Sequence, residues 1–243
     1  QDGTLPKNYT IQLNHDFEEI TLKANDGASI SCLLLKTKNP PKGIILYFHG
    51  NRNNLSRWAN ECAYLTNYDY QVLVMDYRGY GKSTGLRNEA NFYADAYLAY
   101  QRCKNSFPSE KIIAYGRSLG SGPACWLAAN AELQALVLET PYTRFTDLVE
   151  QKVLGLPMRW FLDYQFDNLS QLKNITEPVL IIHGTDDKLI PISHAQTLSK
   201  ACQHPNSTFL IVQGGGHNNL PTYQTYKEGL DQFLKMTNRN LSQ

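Results

Sequence analysis

This sequence has no run of like charge, no long apolar stretch and no paired cysteine motif. Its 23 Lys and Arg face 22 Asp and Glu, a net charge of +1 over 243 residues, and both signs are scattered along the chain. That balance gives no reason to expect nucleic acid as a partner, and none to expect electrostatic docking on a membrane. No apolar stretch approaches the ~20 residues that span a bilayer, so no transmembrane segment is expected. No secretory signal is evident, which favours the cytoplasm. The chain starts at Gln1, which reads as a processed or shortened form, so a removed signal or anchor stays open. The five cysteines, Cys32, Cys62, Cys103, Cys125 and Cys202, are odd in number and none has C-x-x-C spacing. A disulfide framework or zinc site is therefore not expected, and isolated buried thiols are. There is no H-E-x-x-H. Gly81-Lys82-Ser83 imitates the end of a phosphate-binding loop, but Asp76 stands where the pattern needs a glycine. Neither a cofactor nor a metal is expected.

What is present is an alternation of strands and helices. Residues 18–24 and 29–37 alternate in polarity around Asn25-Asp26-Gly27, a strong turn signal, and read as an antiparallel pair. After Asn39-Pro40-Pro41 the pattern changes. Continuous apolar runs at 43–48, 70–75, 111–115, 133–138, 179–182 and 208–212 read as strands, most of them buried on both faces. Helical spacing covers 55–65, 91–103, 119–130, 194–202 and 223–236. Repeated βα units predict one α/β domain over 1–243, with a mainly parallel sheet and helices on both faces. Ligands gather beyond the carboxyl ends of such strands. Residues 140–174 are too long for a simple crossover and rich in aromatic side chains, so a short helical lid over the strand ends is expected there.

Chemistry concentrates at Gly116-Arg117-Ser118-Leu119-Gly120, between a strand run and a helix run. A nucleophilic serine needs a turn too tight for bulky neighbours, and the two glycines permit one. It also needs a base and a carboxylate that orients the base. His217, on the loop Gly214-Gly215-Gly216-His217, is the candidate base. Asp186 and Asp187 follow a buried strand and are both candidate acids. The other histidines read as structural (His49, His183), as outside the site (His15) or as lying on or beside a surface helix (His194, His204). Two backbone N–H groups must meet the developing oxyanion. Leu119, just after the serine, and Asn51, in His49-Gly50-Asn51-Arg52, are the candidates. Arg52, Arg78 and Arg117 flank these motifs and could attract an anionic group, although Arg117 reads better as a support of the turn.

In order, the motifs are FHGN (48–51), DYRGYGKS (76–83), GRSLGSGPA (116–124), HGTDDKLIP (183–191) and GGGHNNL (214–220). Together they resemble the α/β-hydrolase-fold serine hydrolases, in the branch with depalmitoylase-like and lysophospholipase-like members. The family pattern His-Gly-x-x-Asp-x-x-apolar-Pro, laid on 183–191, selects Asp187 over Asp186. The resemblance implies hydrolysis of carboxylic esters or thioesters through an acyl-enzyme, with a small peptidase of the same fold as the alternative. It implies a small-molecule or lipid/acyl substrate, with peripheral membrane contact possible, and gives no oligomeric state.

Overall fold

A computed structural model describes residues 10–152 and 164–239. Its strands are β1 (Phe17–Lys23), β2 (Ser29–Leu35), β3 (Gly43–Phe48), β4 (Tyr70–Met75), β5 (Ile112–Arg117), β6 (Ala135–Glu139), β7 (Val179–Gly184) and β8 (Thr208–Val212). They join in one eight-stranded sheet in the order β1-β2-β4-β3-β5-β6-β7-β8. β1 and β2 are antiparallel, β2 runs antiparallel to β4, and every other neighbouring pair is parallel. This is the α/β-hydrolase arrangement that the motifs led one to expect.

The helices are α1 (Leu55–Cys62), α2 (Glu89–Lys104), α3 (Ser121–Asn130), α4 (Phe145–Lys152), α5 (Asn168–Leu172), α6 (Ile192–Ser199) and α7 (Gln224–Arg239). β3 shows why the strand runs are continuously apolar. Ile44, Leu46 and Phe48 pack with Phe92 of α2, Ala124 of α3 and Leu198 of α6 on one face. Ile45 and Tyr47 pack with Leu55 and Trp58 of α1 and Leu230 of α7 on the other. Each fully buried aliphatic side chain contributes about 1.5–3 kcal/mol, so neither face admits a polar residue cheaply.

Several boundaries differ from the sequence reading. The helix expected over 55–65 ends at Cys62 and tightens into a 3-10 helix, Ala63–Tyr68, closed by Asp69 at φ 66°. α2 starts at Glu89, because the Asn88 side chain accepts from Asn91 N at 2.9 Å. After Ser118 the chain makes a 3-10 turn, Ser118–Gly120, before α3 begins at Ser121. α6 begins two residues early, directly after Pro191. Of the expected 140–174 insertion, the described part forms α4 and α5, while 153–163 lie outside the described residues. Among the described residues no helix is long and apolar enough to cross a membrane.

Candidate active site

Ser118 is set by close backbone approaches. A Cβ on Gly116 would lie 2.6 Å from Gly120 O, and one on Gly120 would lie 2.0 Å from Phe48 O. Glycine at both positions lets β5 turn directly against the end of β3. Ser118 itself is held at φ 52°, a left-handed conformation that costs a non-glycine residue on the order of 1–2 kcal/mol. The turn thereby raises its hydroxyl over the strand ends.

Asp187 and His217 arrive on two loops that touch. A Cβ on Gly184 would lie 2.1 Å from Gly215 O, so glycine there allows the loops after β7 and β8 to meet. Asp186 N donates to Gly215 O at 2.9 Å and locks that contact. His217 Nδ1 donates to Asp187 Oδ2 at 2.7 Å, and this fixes the tautomer in which Nε2 is the acceptor. Ser118 Oγ lies 3.1 Å from Nε2 and donates to it. The three residues picked out by the motifs thus form one hydrogen-bonded chain. Asp186 is exposed, and its carboxylate accepts from the Thr185 hydroxyl instead.

Burial works against the charge of Asp187. Hydrogen bonds from His183 and His217, the His217 charge and the Ile190 N–H outweigh it and hold the carboxyl well below the usual range. Its Oδ1 accepts from Leu189 N at 2.8 Å and Ile190 N at 2.9 Å. His183 is buried and donates Nε2–H to Ile190 O at 2.9 Å, bracing the same turn, as expected of a structural histidine.

The loop after β3 is braced in a similar way. His49 is buried, and its Nδ1–H donates to Gly50 O at 2.7 Å. In a trans peptide the N–H points opposite to the C=O, so this bond aims Asn51 N–H away from the His49 ring. The Asn51 side chain accepts from Tyr80 Oη at 2.6 Å and from Arg52 N at 2.9 Å. A Cβ on Gly50 would meet the Trp58 ring at 3.0 Å and Ser118 Cβ at 3.6 Å, so this loop lies directly against the serine.

The expected histidine and arginine roles need two corrections. His194 belongs to α6, but it is buried and not on a surface face. Its Nδ1 accepts from Thr143 N at 3.2 Å, and burial lowers its pKa. Arg78 does not face the site. It is buried against Asp95, with Nε to Oδ2 at 2.8 Å, and pairs also with Asp26. Arg117 supports the turn as expected: its guanidinium bridges Glu139 at 3.2 Å and Glu61 at 2.7 Å. Burial opposes that cation, and Glu139, Tyr47, Glu61 and Tyr115 together outweigh it and raise its pKa. Of the cysteines, Cys32, Cys62, Cys103 and Cys125 are buried free thiols, and Cys202 is half-buried and free.

Two cavities meet at Ser118. The smaller, about 170 Å³, is apolar and lined by Leu119, Tyr142, Phe145, Leu148, Val149 and Ile190. The larger, about 490 Å³, contains Arg52, Arg57, Trp58, Arg117, His217 and Asn218. Asn51, Ser118 and Leu189 border both. Sequence reading missed Arg57, Trp58, Leu189 and Asn218. Only the position of Asn218 beside the candidate base signalled it. Among the described residues no group of three His, Cys, Asp or Glu is placed to hold a metal ion. Chemically the arrangement suits a serine nucleophile with an acceptor imidazole at its back and apolar space at its front.

Residues 39–170 match a family model described as serine aminopeptidase, S33. Over 237 residues the chain is 34% identical to alpha/beta hydrolase domain-containing protein 17B of Homo sapiens, covering 96% of this chain and 80% of that one. The Xenopus tropicalis protein of the same name is 33% identical over 236 residues, again 96% of this chain and 80% of that one. Among solved structures, the Pyrococcus furiosus esterase Pf2001 has a TM-score of 0.76 at 19% identity, covering 97% of this chain and 98% of the other. At that identity the likeness is one of fold.

Proposed function

The chain belongs to the α/β-hydrolase family and is a hydrolase, and on that premise we propose that it cleaves carboxylic esters or thioesters of acyl groups. Ser118 Oγ attacks the acyl carbon while His217 Nε2 takes its proton. Asp187 holds the imidazole in the required tautomer and balances the imidazolium. The amides of Leu119 and Asn51 receive the oxyanion. His217 then passes its proton to the departing oxygen or sulfur. Water, deprotonated by His217, repeats the sequence on the acyl-enzyme and frees the acid and Ser118. The observation that carries this reading is the unbroken Asp187–His217–Ser118 hydrogen-bond chain at the junction of two cavities.

The apolar cavity suits the acyl chain. Its 170 Å³ holds about six water-sized groups at ~30 Å³ each, the bulk of a hexanoyl chain. α4 supplies the Phe145, Leu148 and Val149 wall, so among the described parts of the proposed lid it is the one that lines the cavity. The family description suggests aminopeptidase activity as a second reading. An aminopeptidase must hold a free ammonium group with carboxylates or carbonyls. Among the described residues the groove beside Ser118 has three arginines and no carboxylate, which favours the ester reading.

The test is hydrolysis of p-nitrophenyl esters from acetate to palmitate, with Ser118→Ala as control and fluorophosphonate labelling in parallel. We expect kcat/KM to rise from acetate to hexanoate. Wild type should be labelled at Ser118, and the folded alanine variant should lose about 10⁴–10⁶ in kcat. Substantial turnover by folded Ser118→Ala would refute the mechanism. Ser118-dependent cleavage of aminoacyl amides without cleavage of esters would favour the peptidase.

A further inference from the structure

We propose that the larger cavity is a subsite for an anion carried on the leaving group, of phosphate or carboxylate chemistry. The proposal rests on the ester-hydrolase reading for its assignment to the leaving group. In that reading His217 Nε2 must give its proton to the departing atom, so the leaving group departs on the histidine side of Ser118. His217 and Asn218 line the larger cavity and do not line the smaller. The two cavities therefore divide the substrate, with the acyl chain in the apolar one and the leaving group in the one that holds Arg52, Arg57 and Arg117.

The electrostatics of that wall favour an anion. Among the described residues three guanidiniums line it and no carboxylate does. Arg117 is held between Glu61 and Glu139, and Arg57 Nε pairs with Glu61 Oε1 at 2.6 Å. Arg52 has no carboxylate partner among the described residues. Three cations thus share two carboxylates, neither of which lines the groove, and this leaves an excess of positive charge at its wall. The chain as a whole carries only +1, so this is a local concentration and not a general property of the surface. Planar guanidiniums match the paired oxygens of carboxylate and phosphate.

The wall is also pre-arranged. The Trp58 ring stacks near two of the cations, with its centroid 5.8 Å from Arg57 Cζ and 5.3 Å from Arg117 Cζ. Trp58 Nε1 donates to Arg52 O at 2.9 Å. That bond pins a loop in which Arg52 and Asn53 both take left-handed backbone angles, φ 68° and 59°. Two consecutive non-glycine residues in this region persist only where their surroundings over-determine them.

The experiment compares two chromogenic esters with the same acyl chain, 4-nitro-3-(hexanoyloxy)benzoate and 2-nitrophenyl hexanoate. They differ by one carboxylate on the leaving group. The readout is the ratio of their kcat/KM values, which cancels any loss common to both. In the double variant Arg52→Ala/Arg57→Ala we expect this ratio to fall about tenfold. In the wild-type protein it should fall as NaCl is raised from 0.05 to 0.5 M, because exposed charges are screened. A second arm measures calorimetric binding of the product 3-hydroxy-4-nitrobenzoate to Ser118→Ala, with and without the two arginine changes. An unchanged ratio, insensitive to salt, together with product binding indifferent to the arginines, overturns the subsite. If neither ester is cleaved but the product binds in an arginine-dependent way, the anion site stands and the ester-hydrolase reading falls.

Discussion

Asp187 shows how much one side chain decides. It is buried, and burial alone would favour its neutral form. His183, His217 and the Ile190 amide reverse that and hold it charged. Its folded pKa is depressed below the unfolded value of about 3.9. The stability it contributes is therefore fully present above about pH 4 and is lost as the pH falls through the folded value. Asp187→Asn removes both the charge and the tautomer control, so kcat should drop about 10⁴-fold at neutral pH. The gap between the thermal midpoints of the two proteins, measured from pH 7 down to pH 3, should be constant above about pH 4 and narrow below it. A gap that stays constant across the range would mean the carboxylate charge is not what holds this turn together. The same carboxylate explains the choice between neighbours: Asp186 has no buried donors around it and stays in solvent.

At the scale of elements, the strands were the legible part. Runs such as Ile44-Ile45-Leu46-Tyr47-Phe48 are apolar on both faces because helices cover both faces, and a short unbroken apolar run marks such a strand. Ser118, His217 and the two aspartates were legible because each sits on a turn or loop that leaves the carboxyl end of a strand. The positively charged groove was only partly legible. Arg52 and Arg117 adjoin motifs, but Arg57 and Trp58 lie on α1, and only the packing of α1 against the sheet brings them to the serine. Arg78 misled for the converse reason: it adjoins a motif, yet Asp95 of α2 draws it away. α4 was legible as part of an apolar insertion suited to an acyl pocket, but which of its residues would face that pocket was not, since they divide between core and cavity. That division makes a prediction. Leu148 is buried and lines the acyl cavity, so Leu148→Ala should lengthen that cavity. The ratio of kcat/KM for octanoate over butyrate should rise several-fold, with a stability loss of about 2–3 kcal/mol. A ratio unchanged in the folded variant would put the acyl chain elsewhere.

At the scale of the whole molecule, the site is tied to the far helix by a buried polar chain. Glu139, at the end of β6, accepts from Tyr115 of β5 and from Tyr226 of α7, and pairs with Arg117. Arg117 continues outward to Glu61 of α1, and its Nη2 donates to Asn218 Oδ1 at 3.2 Å, beside His217. Two strands, two helices and the histidine loop thus share one buried electrostatic unit. Replacing one member should be far worse than its surface area suggests. Arg117→Met leaves Glu139 buried without its cation, which is expected to cost about 3–5 kcal/mol in urea unfolding. Glu139→Leu alone leaves the buried Arg117 with Glu61 as its one remaining carboxylate among the described residues. In the double variant each change removes the charge that the other would leave unpaired, so the total loss should fall short of the sum by about 1–3 kcal/mol. The folded fraction of Arg117→Met should also lose kcat, because Asn218 is released and the His217 loop with it. Glu139→Leu should lose less, since Glu61 still holds the guanidinium near Asn218. Strict additivity of the two stability losses would show that the pair acts as two separate residues, and the site would then have to be held in place by its loops alone.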